Sequence, residues 1–164
     1  MAALVPTGSR ARVITVSDRS ARGERPDTSG PLLAELLNGL GLQVDAVVVV
    51  PDGVPEVQTA LRDALAASYD VVVTTGGTGF GPRDVTPEAT LPLLERLAPG
   101  LAEALRQYRR DEVPTTILSR AVAGTVGTSV VVNLPGSNGG VRDGVAVLAP
   151  VLGHLLTQLR GGDH

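Results

Sequence analysis

The chain has 164 residues, 43% of them hydrophobic and only 2% aromatic, with no Cys, no Trp and a formal net charge of -3. That length and composition predict one domain with a core of Val, Leu and Ala, and exclude disulfides, thiolate metal sites and cysteine nucleophiles. The acidic balance and the scarcity of aromatics argue against a nucleic-acid or anionic-membrane partner and against base-stacking platforms.

Residues 1 to 10 read as a flexible arm and residues 11 to 164 as a single domain. No basic region followed by an apolar stretch opens the chain, and apolar runs such as Ala46 to Val50 are too short to span a bilayer, so a soluble, cytoplasmic protein is expected. Arg12 to Ser17 (RVITVS) is a first strand. The polar stretch SDRSARGERPDTSG is a loop that ends at Thr28 or Ser29 as helix cap, and the helix PLLAELLNGLG stops at Gly39 or Gly41. Gln43 to Val50 (QVDAVVVV) is a second strand, closed by Pro51-Asp52-Gly53. A helix over VPEVQTALRDALAAS leads to a valine strand at Val71 and then to TTGGTGFGPRDVTPEAT.

In that last stretch, glycines at 76, 77, 79 and 81 let backbone N–H groups come close to a ligand, and a concavity of such groups suits an anion. Thr86 as N-cap with Pro87 at the first helical position predicts a helix start facing the same place, which makes a phosphate cradle. Two helices, TPEATLPLLERL and PGLAEALRQYRRDE, are predicted on either side of Pro99-Gly100. SRAVAGTVGTSVVVNLPGS reads as two strands about a Gly turn. Val141, Val145, Leu148, Leu152, Leu155 and Leu159 alternate in steps of four and three, the core stripe of a final helix. Strands alternating with helices predict an α/β fold with a mainly parallel, mixed sheet, whose ligands sit beyond the carboxyl ends of the strands. Four strand-end loops, SDRSARG, VPDG, TTGGTGFGPRD and NLPGSN, carry the acidic, hydroxyl, amide and glycine residues that can converge there.

All 14 cationic residues are Arg, and no Lys is present. Schiff-base chemistry and a Walker A loop are thereby excluded, and the glycine spacing does not fit the dinucleotide fingerprint. Of two histidines, His164 is terminal and His154 falls in the last helix, where it reads as a surface or packing residue. Carboxylates, hydroxyls, arginines and backbone N–H groups remain, a set suited to phosphate handling with a divalent metal. Asp52 and Asp84 are carboxylates on neighbouring strand-end loops. As plain residues, Asp52 reads more readily as a turn former and Asp84 as a helix cap, while Ser17 and Asp18 could shape their own loop, Ser119 and Arg120 could be a solvated pair, and Asn133 to Ser137 a tight turn.

The segments VSDRSARGERPDTSGP, VPD, TTGGTGFGPRDVTPEAT, LSRAVAG and NLPG occur in that order over residues 12 to 160. In them the chain resembles the molybdenum-cofactor biosynthesis family of molybdopterin adenylyltransferases, the bacterial Mog-type proteins and the G domains of plants and animals. The wider fold family also takes in domains of molybdate-inserting proteins and competence-damage-type proteins. The resemblance implies a three-layer α/β sandwich of the MoaB/Mog type, a homotrimer, Mg2+, and conversion of ATP and molybdopterin to adenylyl-molybdopterin and pyrophosphate, with possible hand-over to a molybdate-inserting protein. It also implies catalytic and metal-binding roles for Asp52 and Asp84. Substrate-binding roles are implied for Ser17, Asp18, Thr75, Gly76, Gly77, Thr78, Gly79, Ser119, Arg120, Asn133, Pro135, Gly136 and Ser137. One departure stands out: family members commonly show Pro-Gly-x-Pro in the last loop, and Asn138 occupies the place of the second proline, followed by Gly139 and Gly140, which predicts a looser loop. Two other readings remain at this point: a molybdopterin binder of the MoaB-like branch that does not adenylylate, and a trimeric scaffold module whose glycine loop is structural. The intact VPD and PRD aspartates and NLPG lean toward the enzyme.

Overall fold

The computed structural model describes residues 3–162, so His164 lies outside the described residues. Its elements in chain order are β1 (Arg10–Val16), α1 (Asp18–Ala21), α2 (Ser29–Gly39), β2 (Gln43–Val44), β3 (Val48–Val50), α3 (Val54–Ala66), β4 (Val71–Thr75), α4 (Thr86–Thr90), β5 (Arg96–Leu97), α5 (Pro99–Gln107), β6 (Ala123–Val126), β7 (Ser129–Leu134) and α6 (Asn138–Leu159). They form one mixed sheet in the order β2-β1-β4-β7-β6-β5, with β3 on the same β1 edge as β2. β1, β2, β3, β4 and β7 run parallel, while β6 is antiparallel to both β7 and β5. The mainly parallel, mixed sheet expected from the sequence is therefore present.

Alternation along the central strands builds two cores, because successive side chains of a strand point to opposite faces. Val71 and Val73 of β4 join Val13, Val132 and the α2 and α6 side chains Leu33, Leu37, Val145, Leu148, Leu152 and Leu156 on one face. Val72 joins Ile14, Val16 and Val131 on the other, under Val57, Leu61 and Ala64 of α3 and Ala89 of α4. Sheet and two helical layers make the three-layer sandwich, and the α6 stripe is the core-facing one its spacing predicted. Among the described residues no helix is long and apolar enough to cross a membrane.

Several boundaries differ from the sequence reading, each for a physical reason. The strand expected over residues 43–50 is interrupted at 45–47. There the Tyr69 ring lies between the Arg10 and Arg12 guanidiniums, 4.2 and 4.5 Å from its centroid. Asp45 takes hydrogen bonds from Arg10 (3.2 Å) and from the Tyr69 hydroxyl, and Arg12 donates to Ala46 O at 2.7 Å. The helix expected over 86–97 stops at Thr90, passes through a 3-10 turn at Leu91–Leu93 and gives way to β5, since Pro92 removes a helical N–H. α5 ends at Gln107, short of Glu112, and Arg109 adopts φ 54°. The SDRSARG loop contains a turn of helix, α1, capped by Ser17, whose Oγ accepts the Ser20 N–H. Asn138 to Gly140, expected as loop, is the first turn of α6, capped by the Ser137 side chain on the Gly140 N–H. The described part of the expected arm lies against the fold: Ser9 is buried, its Oγ accepts from Arg160 at 2.7 Å, and Gly153 of α6 abuts the Ala3 and Leu4 carbonyls.

Candidate active site

The carboxyl ends of β1, β3, β4 and β7 bring the four loops named above to one pole of the sheet, where two cavities adjoin. The larger, about 680 Å³, is walled by Thr78, Gly79, Phe80, Leu105, Tyr108, Val113, Leu118, Ser119, Asn133 and Pro135. The smaller, about 380 Å³, is walled by Thr15, Ser17, Ser20, Arg25, Asp27, Thr28, Ser29, Asp52, Thr75 and Gly76. Gly77, Asp84, Gly136 and Ser137 line both and form the divide between them. Two ligands placed in the two cavities would therefore meet beside Asp84.

The glycine loop is shaped by what it touches. Gly76 (φ 105°) and Gly77 (φ 69°) occupy the left-handed region that a β-carbon disfavours. A Cβ on Gly76 would collide with Val16 O, and one on Gly77 with the Thr86 hydroxyl, and the latter would also lie 3.2 Å from Asp52 Oδ1. Among the described residues the N–H groups of Gly77, Thr78 and Gly79 have no protein acceptor, which leaves three consecutive donors for an anion. The helix that follows does not supply the expected field. α4 is a single turn whose N-cap position is Val85, and the Thr86 hydroxyl, instead of capping, donates to Gly76 O at 2.9 Å while the Thr86 N–H donates to Gly77 O at 3.1 Å. Thr86 is thus a clamp on the loop's two left-handed glycines. The long helix whose N-terminus faces the divide is α6, through Ser137.

The carboxylates are held unequally. Asp18 and Asp52 exchange backbone hydrogen bonds, Asp18 N–H to Asp52 Oδ2 at 2.8 Å and Asp52 N–H to Asp18 Oδ1 at 2.9 Å. Arg83 grips Asp18 with two bonds of 3.0 and 3.1 Å and holds its carboxyl below the usual range. Burial pushes the Asp52 carboxyl up, and the charges of Asp18 and Asp84 push the same way. Asp84 Oδ2 accepts the Gly81 N–H at 2.8 Å. Neither Asp52 nor Asp84 makes an ion pair among the described residues. The same residues include no group of three or more His, Cys, Asp or Glu that could hold a metal. Two unpaired carboxylates without a protein cage suit Mg2+, which keeps waters and takes its other ligands from substrate phosphates.

A raised carboxyl pKa in the folded state means that Asp52 favours folding fully only below its ordinary pKa and loses that contribution as pH rises through the raised value. Asp52→Asn, which retains an oxygen to accept the Asp18 N–H, is therefore expected to melt higher than the parent at neutral pH. The difference should vanish as pH falls below the ordinary carboxylate range, and Mg2+ should raise the melting temperature of the parent more than that of the variant. Thermal melts from pH 3 to 8 check both; a variant less stable at neutral pH would show that the charge is compensated in the fold.

The remaining residues expected in the site divide into lining and support. Ser17 and Thr75 line the smaller cavity, although the Thr75 hydroxyl donates to Pro135 O at 2.8 Å. Thr78, Gly79, Ser119 and Pro135 line the larger. Asn133 reaches the larger cavity, yet its amide is committed to Thr74 and Thr90 Oγ1 (3.0 and 3.1 Å) and to the Val122 N–H (3.2 Å). Asp18 and Arg120 are not among the residues lining either cavity. Arg120 donates to Gly79 O and Asp84 O, both at 2.8 Å, pairs with Glu88 and stacks over Phe80, so its guanidinium spans the glycine loop from outside. Sequence reasoning missed Arg25, Ser20, Thr28 and Ser29 in the smaller cavity, where a polar loop gave no reason to prefer one residue. It also missed Tyr108 in the larger, which was expected to lie inside a helix running to Glu112, and Val113 and Leu118, which follow the expected end of that helix. His154, on exposed α6 surface, lines neither cavity.

Residues 12–154 match the family described as the probable molybdopterin binding domain. The chain belongs to that molybdopterin-binding domain family. It is 42% identical to a molybdenum cofactor biosynthesis bifunctional protein of Synechococcus elongatus over 98% of its own length and 52% of that protein's. It is 42% identical to the molybdopterin adenylyltransferase of Pyrococcus furiosus, over 90% of the chain and 89% of the relative. A crystal structure of a molybdopterin biosynthesis protein from Mycobacterium abscessus superposes with a TM-score of 0.88 at 48% identity, covering 93% of this chain and 97% of that one. The chain thus spans about half the length of the bifunctional relative and nearly all of the other two. As a family member, it carries its glycine loop, both aspartates and the NLPG turn inside the matched region.

Proposed function

We propose that the chain adenylylates molybdopterin, converting ATP and molybdopterin to adenylyl-molybdopterin and pyrophosphate. The observation that carries this reading is the pair of cavities that share Gly77, Asp84, Gly136 and Ser137 as their divide. A transfer between two bound molecules needs such a junction, and holding both partners in line supplies most of the rate. A phosphate oxygen of molybdopterin attacks the α-phosphorus of ATP; the new O–P bond forms as the bond to the β-phosphate oxygen breaks and the electron pair leaves with pyrophosphate. That nucleophile is already ionised at neutral pH, which accords with a site lacking Lys, Cys and a lining His.

In this reading the free N–H groups of Gly77, Thr78 and Gly79 bind phosphate oxygens at the divide, and Thr86 and Arg120 keep the loop rigid from behind. Asp52 and Asp84 would hold Mg2+, which when bound neutralises charge on the phosphates. Omitting either Mg2+ or molybdopterin should abolish pyrophosphate release from ATP. Equal release without the pterin would mark a hydrolase and refute the proposal. The same reading makes the protein a cytoplasmic homotrimer that passes its product to a molybdate-inserting protein, points supported by the family resemblance alone. Sedimentation at micromolar concentration should give a trimer; a monomer would count against that part.

A further inference from the structure

The smaller cavity combines features that the family resemblance does not explain. Three carboxylates line it, Asp27, Asp52 and Asp84. Asp27 is spent within the fold, accepting from the Thr15 hydroxyl at 2.8 Å and the Gly30 N–H at 3.0 Å. A free anion would be repelled by such a wall unless a cation entered with it. Yet the same wall contains hydroxyls of Ser17 and Ser20, which suit phosphate oxygens, beside that of Thr28, which donates to Asn138 Oδ1 at 3.2 Å.

Two arginines line the cavities, and they differ in one respect. Arg109, in the larger cavity, is paired with Glu112 at 2.6 Å and with Asp143 at 3.5 Å. Arg25, in the smaller, is exposed and has no ion pair or side-chain hydrogen bond among the described residues. Its neighbours are otherwise employed: Arg22 holds Glu24 at 2.8 Å and Arg83 holds Asp18. Pro26 follows Arg25 directly and restricts its backbone to extended conformations, so the side chain is presented from a stiffened stretch of loop.

We propose that Arg25 grips the diphosphate portion of ATP and the pyrophosphate it becomes, as the one uncommitted guanidinium among the described residues that line the smaller cavity. This rests on the adenylyl-transfer reading. A guanidinium matches two phosphate oxygens at once, and the carboxylates across the cavity admit the diphosphate only together with Mg2+. Arg25 acts as a specificity residue: it separates ATP from AMP, which lacks the group that Arg25 holds.

Calorimetric titration of the full chain tests this with pyrophosphate plus Mg2+ and, separately, with AMP, on the parent, Arg25→Ala and Arg25→Lys. Because Arg25 is exposed and unpaired, neither substitution removes a contact of the fold. Arg25→Ala should weaken Mg2+-pyrophosphate binding about tenfold or more, the loss of a charge-assisted pair, with AMP affinity unchanged. Arg25→Lys should recover part of the loss, and pyrophosphate without Mg2+ should bind weakly to all three. Equal pyrophosphate affinity in parent and Arg25→Ala, an equal loss for AMP, or no binding to the parent would overturn the proposal. Turnover of ATP with molybdopterin, measured on the parent alongside, separates the two ideas. Turnover with pyrophosphate binding indifferent to Arg25 removes this inference alone, whereas Arg25-dependent binding without turnover removes the adenylyl-transfer reading and leaves a diphosphate site.

Discussion

Asp84→Asn should slow adenylyl transfer by a factor on the order of 10² or more while leaving the melting temperature and molybdopterin binding nearly unchanged. Asp84 lines both cavities at their divide, so its charge lies where the two substrates would meet. The side-chain hydrogen bond it makes to the loop, Oδ2 accepting the Gly81 N–H at 2.8 Å, survives in Asn, whose side-chain oxygen accepts equally well. Its backbone carbonyl, held by Arg120, is untouched. The substitution thus separates charge from structure. A drop of several degrees in melting temperature with an unchanged rate per folded molecule would show instead that Asp84 serves the loop and not the reaction.

Gly77→Val is expected to fail in a different way, in fold and ligand binding together. At φ 69° a β-branched residue is strained by about 1–2 kcal/mol from the backbone alone. Its Cβ would also displace the Thr86 hydroxyl, whose bond to Gly76 O at 2.9 Å is buried. Losing that bond leaves a buried carbonyl unpaired, a further cost of about 1–3 kcal/mol. Together these predict a loss of about 2–5 kcal/mol, and a melting temperature lower by roughly 5–15 °C for a chain of this size. Affinity for both ligands should fall as well, because the loop's three free N–H groups lose their arrangement. Thermal melts with ATP and molybdopterin titrations check this. Unaltered stability would mean that Thr86 and the loop can yield, and that the glycine is kept for access alone.

The parts of the fold legible in the sequence are those that local pattern controls. The valine runs at 71–73 and 130–132 read as central strands because both faces of the sheet are covered. The α6 stripe and the β6–β7 hairpin follow from spacing and a glycine turn. The convergence of the aspartate, glycine and NLPG loops follows from parallel strand ends. Features set by distant partners were hidden. The break between β2 and β3 depends on Asp45 and Ala46 meeting Arg10, Arg12 and Tyr69, from 24 to 35 residues away. Thr86 carries the local signature of a cap, yet its hydroxyl finds Gly76 O instead, because the loop folds back over it. Arg120 sits in a motif that suggests a ligand, but Asp84 and Glu88 arrive on its guanidinium across more than thirty residues of chain. The division of the site into two cavities could not be seen, since it needs the end of α5 at Gln107 to open one wall and the α1–α2 loop to close the other.

The central claim is that the two cavities bring ATP and molybdopterin together at Asp84. Mass spectrometry of the pterin recovered after incubation of the chain with ATP, Mg2+ and molybdopterin tests it most directly. The account predicts molybdopterin carrying one adenylyl group, formed in equal amount with pyrophosphate. Unmodified molybdopterin accompanied by free AMP or ADP would contradict it.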